Sequence, residues 1–285
     1  MRSSQPGRAI GIFDSGVGGL TVARLIFSHL PEQEIIYFGD TAHVPYGSRS
    51  PRELIKFGDQ IVSFLIGLGA RVVIAACNTS SSVSLPFLRE KYDLPILGMV
   101  EPGAKAALEA TKNKRVGVIA TEATVRSGAY PRALRLFDAG VEVFMQACPR
   151  FVPLVEAGKL DTPEAREAAA EYLEPLRRAG IDTLVLGCTH YPFLAPVIAE
   201  ILGPGVKLVD PAEETVKELV ALLGGEGSSR SSRNPRHRFY ASGSPRSFYT
   251  AGRQFLGGFP FTVEQVNLNE ERREIITGKS SPGSE

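Results

Sequence analysis

The sequence predicts an α/β fold of two parallel-sheet domains, related by pseudo-symmetry and facing each other across a cleft. Three observations carry this. Short apolar runs rich in β-branched residues alternate with stretches of helical period, the pattern of parallel strands covered by helices. Two of these runs end alike: Val72-Val73-Ile74-Ala75-Ala76 leads into Cys77-Asn78-Thr79-Ser80, and Thr183-Leu184-Val185-Leu186-Gly187 leads into Cys188-Thr189-His190. The strands and helices around each cysteine follow a similar order with little shared sequence, which reads as a pseudo-repeat. Open α/β sheets bind ligands at the carboxyl ends of their strands, and both polar clusters sit there.

Taken in order, residues 9–13 form a first strand, followed by the loop Asp14-Ser15-Gly16-Val17-Gly18-Gly19 and a helix over 20–30. A strand at 35–38 opens into an aperiodic loop over 39–48. Ser50 can cap the next helix with Pro51 at its first position, and Leu54, Ile55, Gly58, Ile61, Val62 and Leu65 give it one buried face. The strand carrying Cys77 follows, then a helix to about 92, a strand at 96–99 and a helix from Glu101-Pro102 to about 111. The second series has a strand at 115–120, a helix at 124–137 and a strand at 141–146. Helices at 151–157 and 163–179 precede the strand carrying Cys188. A helix at 192–202, a strand at 206–209 and a helix at 211–223 complete it. Residues 224–238 are rich in Gly, Ser and Arg and read as a flexible surface loop. Residues 239–241, a helix near 245–255 and residues 261–266 are apolar enough to return to a sheet, and the chain frays after Thr277. The first domain is expected to comprise residues 1–98 plus 210–285, and the second 99–209.

A chain of 285 residues can hold two cores. Its 32 Lys and Arg against 31 Asp and Glu give no electrostatic case for nucleic acid or an acidic membrane. No apolar run has membrane-spanning length, and the first eight residues carry no signal-peptide core, so a cytoplasmic location is expected. Three cysteines without paired spacing read as reduced thiols rather than a disulfide framework.

The glycine loop after the first strand admits three readings. As a dinucleotide fingerprint it fails, because Thr21 stands where the third Gly belongs. It can be simply a tight strand-to-helix turn. It can also offer backbone N–H groups to an anion such as a carboxylate, with Asp14 and Ser15 facing the ligand. Each cysteine alone reads as core more readily than as catalyst. Cys148 is assigned to structure because Pro149 and Arg150 follow it. Cys77 and Cys188 differ in sitting among polar groups where a strand stops. A free thiol titrates at about 8.5 and a helix N-terminus lowers that value, which suits proton transfer near neutral pH. A zinc site is disfavoured by the absence of C-x-x-C and by only four His. A Cys–His hydrolase needs one thiol and leaves the second unexplained.

The segment Ile12-Phe13-Asp14-Ser15-Gly16-Val17-Gly18-Gly19-Leu20-Thr21-Val22 resembles the opening of glutamate racemases. Phe38-Gly39-Asp40-Thr41 with Val44-Pro45-Tyr46-Gly47 resembles that family's next segment. Ala76-Cys77-Asn78-Thr79 and Gly187-Cys188-Thr189-His190-Tyr191-Pro192 resemble its two catalytic segments. The matches run in order from about residue 10 to 210. They favour the glutamate branch of the Asp/Glu racemase superfamily over aspartate or hydantoin racemases. The resemblance implies a cofactor-independent homodimer that interconverts L- and D-glutamate for peptidoglycan synthesis. It implies Cys77 and Cys188 as acid/base thiols, assisted by Asp14 and His190, with Glu156 as a further acidic group. It also implies that Asp14, Ser15, Tyr46, Gly47, Asn78, Thr79, Thr121, Thr189 and His190 hold the substrate. Two positions depart from the pattern: His43 stands where many members have Arg, and Ser80 where Ala is common. With no long extension before Ile10, no segment for binding a cell-wall-precursor activator is expected. The different-class alternative is a binding domain that holds an amino acid without turning it over.

Overall fold

The computed structural model describes residues 9–224 and 235–268; most of the expected 224–238 loop and the expected frayed end lie outside them. The chain runs β1 (Ala9–Asp14), α1 (Leu20–His29), β2 (Ile35–Gly39), α2 (Pro51–Gly67), β3 (Ala70–Ala75), α3 (Asn78–Val83), α4 (Leu85–Lys91), β4 (Ile96–Leu97) and α5 (Val100–Ala110). It continues through β5 (Arg115–Ala120), α6 (Glu122–Ser127), α7 (Ala129–Phe137), β6 (Glu142–Ala147), α8 (Phe151–Glu156), α9 (Pro163–Arg178), β7 (Thr183–Gly187), α10 (Ala195–Leu202), β8 (Lys207–Val209) and α11 (Pro211–Gly224). The last described elements are β9 (Arg238–Ala241), α12 (Pro245–Phe255) and β10 (Val263–Gln265).

Two parallel sheets result, one of six strands in the order β10-β9-β2-β1-β3-β4 and one of four in the order β6-β5-β7-β8. The inner order of the first, β2-β1-β3-β4, repeats as β6-β5-β7-β8 in the second. β1 thus corresponds to β5 and β3 to β7. In each sheet the winding reverses beside the strand that carries a cysteine, and such a switch point opens a crevice at the strand ends.

The buried strands follow from their composition: Ile10, Ile12, Ile74, Leu184 and Leu186 are all fully or almost fully buried. One apolar core runs from Ile10 and Ile12 through α1 and α11 to Leu184 and Leu186, so the two sheets share a hydrophobic seam on one side. Helix α11 packs on both α1 and α5 and forms part of that seam. Ser50 caps α2 with a full capping box: its Oγ accepts from the Glu53 N–H and the Glu53 carboxylate accepts from the Ser50 N–H.

Three expected helices are interrupted. The helix after Cys77 divides into α3 and α4 at Ser84. Pro86 cannot donate to the Ser82 carbonyl four residues back, and Ser84 Oγ instead donates to Leu54 O at 2.9 Å. The helix expected over 124–137 divides at Gly128, whose φ of +64° is left-handed and closes α6. Residues Tyr191–Leu194 form a 3₁₀ turn before α10.

Candidate active site

The carboxyl ends of the equivalent strands converge. Asp14 and Ser15 come from the end of β1, Cys77, Asn78 and Thr79 from beyond β3, Thr121 from beyond β5, and Cys188, Thr189 and His190 from beyond β7. Between them lies a cavity of ≈ 360 Å³. Its lining includes Ser15, Tyr46, Gly47, Cys77, Asn78, Thr79, Thr121, Glu156, Cys188, Thr189 and His190. Among the described residues, Asp14 is absent from that lining, and so are Lys and Arg. A ligand carboxylate here meets hydroxyls, an amide and the His190 ring, with the carboxylates of Glu122 and Glu156 on the same wall.

Asp14 lies beneath the cavity and is fully buried. Its Oδ2 accepts from the Gly16 N–H at 3.0 Å and its Oδ1 accepts from Thr189 Oγ1 at 3.4 Å. The anion held by the glycine loop is thus the loop's own carboxylate, and the Gly16 N–H is not free for an external ligand. Burial raises the Asp14 pKa, against the opposing pull of His190 and of the Gly16 and Gly19 backbone. Gly18 is required by packing: a Cβ there would come within 2.2 Å of Thr189 Oγ1 and 2.7 Å of His190 Nδ1. The loop of one sheet and the cysteine segment of the other are in direct contact.

Cys77 occupies the N-cap of α3, and its thiol donates to Ser15 Oγ at 3.8 Å. From the sequence, the helix N-terminus is expected to lower this thiol's pKa. Instead it is pushed up to about 12, first by burial and then by the Asp14 charge, and the Ser80 backbone N–H offsets only part of this. Desolvation of a thiolate outweighs one short helix end, so burial holds Cys77 as a neutral thiol.

Cys188 has a different neighbour. Its Sγ lies 3.8 Å from His190 Nδ1, and His190 Nε2 lies 3.3 Å from Glu156 Oε1. Burial alone would lower the His190 pKa. Contacts with Cys188 and Glu156, with the Asp14 charge, outweigh it and hold His190 at about 10, above its ordinary 6.5. The raised value means this proton favours the folded state fully below pH 6.5, and the benefit disappears as pH rises through about 10.

The sequence profile of the Asp/Glu/hydantoin racemases matches residues 21–219. This chain belongs to the Asp/Glu/hydantoin racemase family. It is 50% identical over 266 residues to the glutamate racemase of Desulforudis audaxviator, covering 91% of this chain and 97% of that one. Among solved structures it is similar to a glutamate racemase of Bacillus anthracis, with TM-score 0.88, 39% identity and coverage of 93% and 99% of the two chains. It is also similar to the glutamate racemase of Francisella tularensis solved with D-glutamate, with TM-score 0.87, 37% identity and coverage of 93% and 100%.

In this racemase the cavity wall includes residues not assigned to the site from the sequence: Val44, Pro45, Ser48, Glu122, Cys148, Pro149, Val152 and Pro153. Cys148, assigned to structure, does reach the lining, although its thiol makes its own hydrogen bond to the Gln146 carbonyl at 3.8 Å. Asp40 braces one wall: its carboxylate accepts from Tyr46 Oη at 2.5 Å and Ser242 Oγ at 2.7 Å, and meets His43 Nδ1 at 2.8 Å. His43 also stacks on Phe57 at 4.2 Å, so it serves the back of the wall. Ser80, the other departure, is wholly buried and its hydroxyl lacks a hydrogen-bond partner among the described residues.

The pair His190–Glu156 makes a specific pH prediction for the racemase. Glu156→Gln removes the negative charge beside Nε2, so the His190 pKa falls. The alkaline limb of the kcat/KM profile should move to lower pH. Rate profiles of the two proteins across that limb check this; superimposable limbs would show that Glu156 does not act on the titrating group.

Proposed function

We propose that this racemase interconverts L- and D-glutamate by two-thiol proton transfer at the α-carbon. The observation that carries this is one cavity lined by Cys77 and Cys188, each from the switch point of its own sheet. Inversion breaks the Cα–H bond on one face, leaving its electron pair on carbon, and forms a new Cα–H bond on the other. One sulfur, as thiolate, takes the first proton, and the other, as thiol, supplies the second. The roles exchange in the reverse direction. Cys77, held protonated by burial, suits the donor role. The His190 proton sits beside Cys188, within reach for relay.

The rest of the cavity suits a dicarboxylate. Ser15, Asn78, Thr79, Thr121 and Thr189 present neutral hydrogen-bonding groups. Thr79 Oγ1 lies 2.8 Å from Thr121 Oγ1, which lies 3.0 Å from Thr124 Oγ1, so hydroxyls of both halves form one chain. In this reading Asp14 acts from beneath, by its charge on Cys77 and its hold on Thr189. Family resemblance supports the wider setting: a cytoplasmic homodimer supplying D-glutamate for peptidoglycan. Among the described residues no helix is long and apolar enough to cross a membrane.

The test is the circular dichroism of L-glutamate with purified protein. Decay of the signal to zero is the expected result; a constant signal with demonstrable glutamate binding would make the protein a binder and overturn the proposal. The activity should survive exhaustive dialysis against chelator. Recovery only on adding zinc or pyridoxal phosphate would defeat the cofactor-free mechanism.

A further inference from the structure

Tyr130 lies on α7, which packs against α5 in the half built on the four-stranded sheet. It is fully buried, yet its hydroxyl lies 2.6 Å from Asn78 Oδ1. Asn78 belongs to the other half, beside Cys77 at the start of α3, and lines the cavity. The Asn78 Nδ2 is buried and has no hydrogen-bond partner among the described residues. A primary amide offers acceptor sites on oxygen and two donors on nitrogen. With its oxygen satisfied by a hydroxyl donor, the group it has left to offer a ligand is N–H. Burial, and after it the Asp210 charge, raises the tyrosine's pKa, so the hydroxyl keeps the proton it donates. A buried amide N–H without a partner is costly until an acceptor arrives, and a carboxylate oxygen is such an acceptor.

We propose that Tyr130 is a positioning residue that locks the Asn78 amide with its donor side available to the substrate carboxylate. In the opposite orientation the Tyr130 hydroxyl would accept from the Asn78 N–H and the Asn78 oxygen would meet the carboxylate, so the tyrosine and the carboxylate together select the orientation observed. The inference rests on the glutamate reading for the identity of the ligand, and the positioning itself requires only carboxylate binding. It also ties the two halves at the cavity, since the donor and the amide come from opposite sides. The ring has a separate packing role, in the apolar cluster with Val100, Ala104 and Leu134. The experiment must therefore spare the ring and remove only the oxygen.

Tyr130→Phe does that. Its KM for both enantiomers should rise roughly tenfold, the effect of one misdirected buried hydrogen bond, with kcat little changed because binding rather than chemistry is affected. The decisive readout is a double-mutant cycle with Asn78→Ala. In the Asn78→Ala background, Tyr130→Phe should change KM by less than about twofold, because the residue it acts through is gone. An equal penalty in both backgrounds would reduce Tyr130 to a structural part and overturn the proposal, as would an unaltered KM in the single variant. Calorimetric titration of D-glutamate into the same four proteins reads the cycle as Kd. If wild-type protein binds glutamate without inverting it, the catalytic reading fails while this cycle still decides the role of Tyr130. No binding of glutamate by the wild type would overturn both.

Discussion

Cys77→Ala and Cys188→Ala should each stop the inversion of glutamate. Loss of a proton-transfer group typically costs about 10²–10⁴ in rate. An inversion with nothing on one face belongs at the severe end, because no second group stands in for the missing sulfur. Proton NMR of the product in heavy water provides the readout. In the proposed mechanism the proton delivered comes from the thiol opposite the one that accepted the substrate's, and that thiol exchanges with water between turnovers. Essentially every newly inverted molecule should then carry solvent deuterium at the α-carbon. Cys148→Ala should invert at a near-normal rate, since its thiol is occupied with the Gln146 carbonyl although the residue borders the same cavity. Retained α-hydrogen in inverted product, or a Cys188→Ala enzyme of near-normal rate, would defeat the two-thiol mechanism.

Alanine should be turned over roughly 10⁴-fold less efficiently than glutamate, measured as kcat/KM. A site built to hydrogen-bond a polar group rejects the analogue lacking it by about 10⁴–10⁵, because its own buried donors are then left unpaired. The cavity holds several such donors and no Lys or Arg. Discrimination therefore comes from filling these hydrogen bonds, with His190 as the basic group of the wall. Comparable turnover of alanine would mean that the side-chain carboxylate is not read.

The two parallel sheets and the ends of their strands were legible because burial on both faces forces continuous apolar runs such as Val72–Ala75 and Thr183–Gly187. The polar residues just beyond mark where the sheet stops. Helix interruptions were less legible. Pro86 and Gly128 are visible as letters, but whether a proline or glycine breaks a helix depends on what its neighbours bond to, as with Ser84 and the Leu54 carbonyl. Val44, Pro45 and Ser48 sit in a loop with no period to read, and reach the cavity because of how that loop is braced on Asp40. The partnership of Tyr130 with Asn78 could not be read at all, because periodicity within a helix does not say which helix of the other half it will meet. The thiol of Cys77 was misjudged for an energetic reason: a helix end is visible in sequence, whereas the degree of desolvation is a property of the folded site.

The matching strand orders of the two sheets have a kinetic consequence. In the proposed mechanism, the correspondence of β3 with β7 exchanges the two sulfurs, and with them the two faces of the reacting carbon. The relation fails at the neighbours, with Ser15 beside Cys77 and the His190–Glu156 pair beside Cys188. The two half-reactions accordingly run through unlike surroundings. Yet mirror-image amino acids have equal free energy in water, so their equilibrium ratio is unity whatever the protein does. The Haldane relation then requires equal kcat/KM in the two directions. The broken symmetry can appear only as compensated pairs of constants: the enantiomer that saturates the enzyme at lower concentration must turn over more slowly in the same proportion.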